Sequence, residues 1–274
     1  MICGSHVQYW HSEPGPGGLL VALHGLGADH RGLLDMLGHT TGLTVVVPDL
    51  PGFGASEPLR RPHTLENYAA FVDGLRRHLN VERAYVTGHS LGASIALVHA
   101  GRYPGTVRRL VLFNPVSEAD RPAARLGKAY YVVGARLRSP LDRWWLTSRA
   151  AVRVTDSFVI RTKDRARRRA ILAYDYDTYR RADLRAVKES FLSYYDTPFT
   201  AYAGRITAPT LFVTGRRDQL APPAAVGRLQ SNARDSTLAV IEQAGHLFPA
   251  EQPAHAGALL NRFLGRLRGS VCLR

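Results

Sequence analysis

Cysteine is nearly missing from this sequence. Two residues, Cys3 and Cys272, are all that 274 positions hold, one near each end. Two thiols make no disulfide framework, which excludes a small stapled scaffold. The plain reading is two free thiols. Long apolar runs are missing too. No stretch reaches the roughly 18 uninterrupted apolar residues of a membrane-crossing helix, so no membrane insertion is expected. The chain does not open with a basic segment followed by a long apolar run. No secretory signal is therefore expected, and a cytoplasmic protein is the default.

Acidic residues are the third shortage. Asp and Glu number 22 against 36 Lys and Arg, a formal net charge of +14. Such a balance brings nucleic acid, an anionic membrane or an anionic substrate into view. The arginines are spread along the whole chain, however. Zinc-finger spacing, a basic-zipper pattern and an RNP-like aromatic motif are all lacking, which argues against nucleic acid. The densest basic run, Arg161 to Arg169, reads as a solvated helix face. Neither a metal nor a cofactor is expected.

What is present is an ordinary globular composition, 45% apolar and 21% charged. The length suits one large α/β domain carrying an insertion, or two small domains. Leu19 to Leu23, Thr44 to Val47, Ala84 to Thr87 and Val107 to Phe113 are short apolar runs of the kind buried on both faces of a sheet. Helical spacing separates them, as in Thr64 to Leu79 and Leu91 to about Tyr103. Strands alternating with helices at this rhythm imply parallel βαβ units. From about Val116 to Gly204 strand signals fade and a mostly helical insertion is expected. The rhythm then resumes with strands at Pro209 to Thr214 and Thr237 to Ile241, and helices at Pro222 to Gln230 and Pro253 to Leu267. The expected division is a core of residues 1–115 and 206–274 with a helical cap of residues 116–205.

Chemistry concentrates at the carboxyl ends of these strands. Gly88-His89-Ser90-Leu91-Gly92 fits G-x-S-x-G between a predicted strand and a predicted helix. So tight a turn crowds the residues two before and two after the serine, so both must be small. A serine hydroxyl needs a base, and the base needs an orienting acid. Asp218 follows one late strand and His246 follows the last, in the chain order Ser, acid, His that such an elbow uses. Ser90, Asp218 and His246 are thus the candidate catalytic residues. Oxyanion donors are expected from the backbone N–H groups of Leu91, next to the serine, and Leu26, in the loop His24-Gly25-Leu26-Gly27. His24 is read as bracing that loop.

Taken together, His24-Gly25, the segment Asp49 to Ser56, Gly88 to Ala93, Gly215 to Asp218 and Gly245-His246 resemble the α/β-hydrolase superfamily. The resemblance covers about residues 5 to 115 and 205 to 268 and points to the esterase, lactonase, C–C hydrolase and cofactor-free haloperoxidase branch. It implies an α/β-hydrolase fold, a mostly parallel twisted sheet flanked by helices with a helical cap insertion. It implies a structural role for Asp49. Haloalkane dehalogenases and epoxide hydrolases of this fold carry a carboxylate at the elbow, so Ser90 argues against both.

The resemblance leaves the insertion unmatched. Its aromatics Trp144, Trp145, Tyr174, Tyr176 and Tyr179 could form an apolar roof over Ser90, with Trp144, Trp145 and Tyr174 as the candidate substrate-binding residues. Their alternative role is to bury the cap helices on the core. Residues 116–205 hold 19 Arg or Lys against 10 Asp or Glu, a balance that would suit an anionic or carrier-bound substrate. The leading expectation is a hydrolase for a small to medium, partly apolar ester or thioester. A lyase, cyclase or C–C bond hydrolase could use the same residues. A noncatalytic ligand-binding protein on this fold is the third reading.

Overall fold

The computed structural model describes residues 1–117, 129–130, 132–134, 137 and 141–265. Cys272 and the end of the expected terminal helix lie outside them. Seven strands form one sheet: β1 (Tyr9–His11), β2 (Leu19–Leu23), β3 (Thr44–Pro48), β4 (Ala84–His89), β5 (Val107–Phe113), β6 (Thr210–Gly215) and β7 (Ser236–Ile241). Their spatial order is β1-β3-β2-β4-β5-β6-β7, and all pairs are parallel except β1 with β3. Parallel strands need covering on both faces. Alternate residues of each strand accordingly enter two cores. Val21, Leu23, Val86, Leu110 and Leu112 face one side, with Phe71, Val72 and Ile95. Leu20, Ala22, Tyr85, Val111 and Phe113 face the other, with Leu33, Met36 and Leu260.

The first layer is built from α2 (Leu65–His78) and α3 (Leu91–Arg102), the second from α1 (Arg31–Leu37) and the last helix, Pro253–Leu264. The helix start expected at Thr64 is an N-cap, with its hydroxyl accepting from Asn67 N–H at 3.2 Å. β3 and β4 lie on opposite sides of β2, so the chain leaves the sheet in opposite directions beyond β2 and β4. A sheet of this kind opens a crevice where the strand order reverses.

Between β5 and β6 the described elements are all helical: α4 (Leu141–Thr147), α5 (Arg149–Val159), α6 (Arg165–Arg181), α7 (Leu184–Ser193) and α8 (Phe199–Ala203). Each of α5, α6 and α7 starts on a side-chain cap, from Ser148, Asp164 and Asp183. After β6 come α9 (Pro223–Gln230), a short α10 (Phe248–Glu251) and α11 (Pro253–Leu264). Where α5 meets α6, the buried carboxyls of Asp156 and Asp175 hydrogen-bond to each other. Burial pushes Asp156 up to about 7 and Asp175 well above the carboxylate range, so the pair holds a proton at neutral pH. Asp156 Oδ2 is buried with no geometric hydrogen-bond partner among the described residues.

Candidate active site

The turn after β4 is as strained as its sequence requires. Ser90 has φ of +53°, a region that L side chains avoid. The strain is held by packing on both sides. A Cβ on Gly88 would stand 2.3 Å from the Gly92 carbonyl oxygen, and one on Gly92 would stand 2.1 Å from the Leu23 oxygen. Ser90 N–H donates to the Phe113 carbonyl at 3.0 Å, which ties the turn to the end of β5. The hydroxyl is thereby lifted to the N-terminal end of α3.

Two loops from the far end of the sheet converge on it. His246 Nε2 lies 2.8 Å from Ser90 Oγ, and His246 Nδ1 lies 2.9 Å from Asp218 Oδ2. The β6 and β7 loops are packed backbone to backbone, since a Cβ on Gly215 would stand 2.3 Å from the Ala244 oxygen. Asp218 is almost fully buried, which works against its charge. The His246 ring, the Ala221 N–H and the Asn114 amide outweigh that burial and hold the carboxyl down at about 2. Its Oδ1 accepts from Leu220 N–H at 2.8 Å and Ala221 N–H at 2.9 Å. Its Oδ2 accepts from Asn114 Nδ2 at 2.7 Å as well as from His246. Asp218 is an ionised acceptor ringed by donors. It therefore fixes Nδ1 of His246 as the protonated nitrogen and leaves Nε2 free to accept from the serine.

Two supporting residues carried no signal strong enough to single them out from sequence. Asn114 ends β5 in the left-handed region, with φ of +50°, and its amide also donates to the Gly245 carbonyl at 3.2 Å. Its place at a strand end was the available clue. His89 fills the first variable place of the elbow. Its Nε2–H donates to the His246 carbonyl at 2.8 Å, and the two rings lie 5.4 Å apart. Burial, aided by the neighbouring His246 ring, pushes His89 down to about 4, so it is neutral near pH 7.

The loop after β2 lies against the nucleophile: a Cβ on Gly25 would be 3.6 Å from Ser90 Cβ. Leu26 is in this loop and Leu91 is the first residue of α3, so both oxyanion candidates border Ser90. His24 Nε2 accepts from Leu50 N–H at 2.9 Å, and its Nδ1–H donates to the Gly25 carbonyl at 2.8 Å. Buried and neutral, it ties the β2 loop to the β3 loop. Asp49 accepts at Oδ1 from His30 N–H (2.9 Å) and His30 Nδ1 (2.7 Å), and at Oδ2 from Ala55 N–H (2.9 Å). Asp29, His30 and Asp49 cluster closely enough to suggest a cation. But Asp29 is already gripped by the Arg31 guanidinium at 2.7–3.1 Å and Asp49 is saturated by donors, so the cluster is a brace.

The three cap aromatics part company. Tyr174 lies on α6, and its hydroxyl bridges Asp29 N–H (3.0 Å) and the Asp29 carbonyl (3.2 Å), pinning α6 to the β2 loop. Trp145 stacks on Tyr130 with centroids 5.5 Å apart and donates from Nε1 to the Tyr130 carbonyl at 3.2 Å. Trp144 is 66% exposed and belongs to no roof; it points away from the protein. Tyr179, another aromatic of the expected roof, is the ring over the β2 loop: a Cβ on Gly27 would lie 2.2 Å from it.

A model of the alpha/beta hydrolase fold matches residues 18–253. The 2-hydroxy-6-oxo-2,4-heptadienoate hydrolase of Pseudomonas putida is 26% identical over 287 residues, covering 96% of this chain and 95% of that one. Among solved structures, a thermophilic esterase from Thermogutta terrifontis superposes with a TM-score of 0.82 at 22% identity, over 96% of this chain and 94% of that one. An enol-lactonase from Burkholderia xenovorans superposes at 0.83 and 19% identity, over 97% and 98%.

Proposed function

Because the chain belongs to the α/β-hydrolase-fold family, we propose that it is a serine hydrolase cleaving an ester or thioester of a small to medium, partly apolar acyl group. The observation that carries this reading is the unbroken hydrogen-bonded line from Ser90 Oγ through His246 to the ionised Asp218. Ser90 Oγ attacks the carbonyl carbon as its proton passes to His246 Nε2. The oxyanion is held by the N–H groups of Leu91 and Leu26. His246 returns the proton to the departing alcohol or thiol, leaving an acyl-Ser90. It then takes a proton from water, which attacks the acyl carbon, and passes that proton to Ser90 Oγ as the acyl–oxygen bond breaks and the acid leaves. Asp218 keeps its charge throughout and stabilises the imidazolium.

The Pseudomonas putida relative favours a second reading, hydrolysis of a C–C bond next to a carbonyl with the same residues. The excess of basic residues in the cap supports an anionic or carrier-bound substrate in either case. Treatment with a fluorophosphonate and measurement of intact mass tests the common core. One adduct is expected on the wild type and none on Ser90→Ala; labelling that survives in Ser90→Ala would overturn it. Turnover of aryl esters and thioesters, against none of a vinylogous 1,5-diketone, separates the two readings.

A further inference from the structure

The loop that carries Leu26 is loose in its middle and fastened at its ends. Leu26 lies between Gly25 and Gly27, and Gly27 has φ of +73°. Among the described residues Leu26 N–H meets no acceptor, as suits a donor kept for an oxyanion. The near end is fastened by the core, through His24 to Leu50 N–H and to the Gly25 carbonyl. At the far end Asp49 holds His30 N–H, just before α1. Asp29, the residue nearer Leu26, is held from α6. The Tyr174 hydroxyl accepts from Asp29 N–H at 3.0 Å and lies 3.2 Å from both the Asp29 carbonyl and Oδ1. The Tyr179 ring covers Gly27, where a Cβ would stand 2.2 to 2.5 Å from three of its carbons.

The hydroxyl does more than the docking of α6 needs. Arg167, Tyr174, Asp177 and Arg181 form a single stripe along that helix, at spacings that keep one face. Ion pairs already seat the stripe on α1: Arg167 with Asp35 at 2.8 Å, and Asp177 with Arg31 at 3.1 Å. The Arg31 guanidinium also lies over the Tyr174 ring, 5.5 Å from its centre. Those contacts hold side chains. The Tyr174 hydroxyl grips main chain instead, three residues after Leu26. Burial works against the charge of Asp29, but the Arg31 guanidinium holds its carboxyl below the usual range. The carboxylate can then only accept. The hydroxyl proton therefore points at Asp29 while a lone pair of the same oxygen takes the Asp29 N–H.

An oxyanion donor works only where it is held. Losing one costs about 100- to 1,000-fold in kcat, and a displacement of about 1 Å costs about 100-fold. We propose that Tyr174 is a positioning residue for the oxyanion hole: its hydroxyl fixes Asp29 and so holds the Leu26 N–H where the oxyanion forms. This rests on the serine-hydrolase reading of Ser90. It also couples chemistry to the seating of α6, because lifting the helix off the core releases the loop. A substrate is then attacked with full efficiency only once α6 is docked.

Tyr174→Phe tests this on the full chain, since it keeps the ring and removes one oxygen. On whichever of the aryl ester and the diketone the wild type turns over, kcat should fall about 10- to 100-fold with KM within about twofold. Both halves of the reaction pass through an oxyanion, so both should slow. An aryl trifluoromethyl ketone forms an adduct on Ser90 that carries the same oxyanion. Its inhibition constant, read from the slowing of fluorophosphonate labelling, should rise by the factor that kcat/KM loses. Arg167→Gln breaks the ion pair with Asp35 without touching Asp29, and should keep kcat within about twofold. A Tyr174→Phe variant that keeps kcat within about twofold would overturn the proposal. So would an equal loss in Arg167→Gln, which would mean general loosening of α6, or a ketone constant that does not move. The label separates this from the underlying reading. A wild type labelled at Ser90 with an unaffected Tyr174→Phe overturns the positioning role alone, whereas a wild type with neither label nor turnover overturns both.

Discussion

Asp218→Asn is the substitution that separates charge from shape at this site. The Asp218 carboxylate accepts four hydrogen bonds and donates none: Leu220 and Ala221 N–H on Oδ1, Asn114 Nδ2 and His246 Nδ1–H on Oδ2. An asparagine must turn its own NH2 group towards one of these pairs of donors. If it faces Oδ1's partners, two backbone N–H groups are orphaned in the interior. If it faces the other pair, it opposes the Asn114 amide, and His246 must accept at Nδ1. The imidazole proton then sits on Nε2, pointing at Ser90, and the base is lost. Activity on an aryl ester should fall about 1,000- to 10,000-fold in kcat/KM, as the wrong tautomer does in serine proteases.

Stability should fall with it. The carboxyl sits at about 2, against an ordinary value near 4, so the native state favours the ionised form by roughly 2–3 kcal/mol. The pKa is depressed on folding. The contribution is therefore complete above about pH 5 and disappears as pH falls through about 2. Urea unfolding at pH 7 should place Asp218→Asn roughly 2–3 kcal/mol below the wild type, and the gap should narrow as the pH is lowered from about 4 towards 2. A variant that keeps activity within tenfold of the wild type would refute the tautomer argument. A stability gap that does not change with pH would refute the charge argument.

Gly92→Ala inverts a familiar rule. In an open helix it would stabilise by about 1 kcal/mol, but here the new methyl meets the Leu23 oxygen at 2.1 Å and the His24 oxygen at 2.6 Å, both backbone atoms. A loss of about 2–4 kcal/mol in chemical denaturation is expected, and any gain would contradict the packing of the turn. Asp156→Asn should change how the cap responds to pH. Asp156 is raised to about 7 by burial, so its stabilising protonated form is fully present below about pH 4 and is lost as pH rises through about 7. Thermal melts of the wild type should therefore decline between pH 6 and pH 8.5, and those of Asp156→Asn should decline less. Parallel curves would show that the pair does not titrate there.

The parts of the fold that were readable in advance are those in which one short segment decides its own state. Leu19 to Leu23 is apolar at every position and could only be buried on both faces, and β2 spans those residues. The elbow was readable for the same local reason, because a tight strand-to-helix turn leaves room only for glycine at positions 88 and 92. What the sequence concealed depends on partners far along the chain. Asn114 reaches Asp218 across 104 positions and His89 reaches His246 across 157, and neither residue type in its local setting announces such a bond. The cap aromatics make the point most sharply. Trp144 and Trp145 are neighbours of one type, yet one stacks on Tyr130 and the other stands in solvent, because successive residues of a helix point about 100° apart. Composition alone groups them into a single roof. Helix phase separates them, and it is phase, fixed only when α4 is laid on its neighbours, that turns an aromatic cluster into one half-buried stacked pair and one exposed side chain.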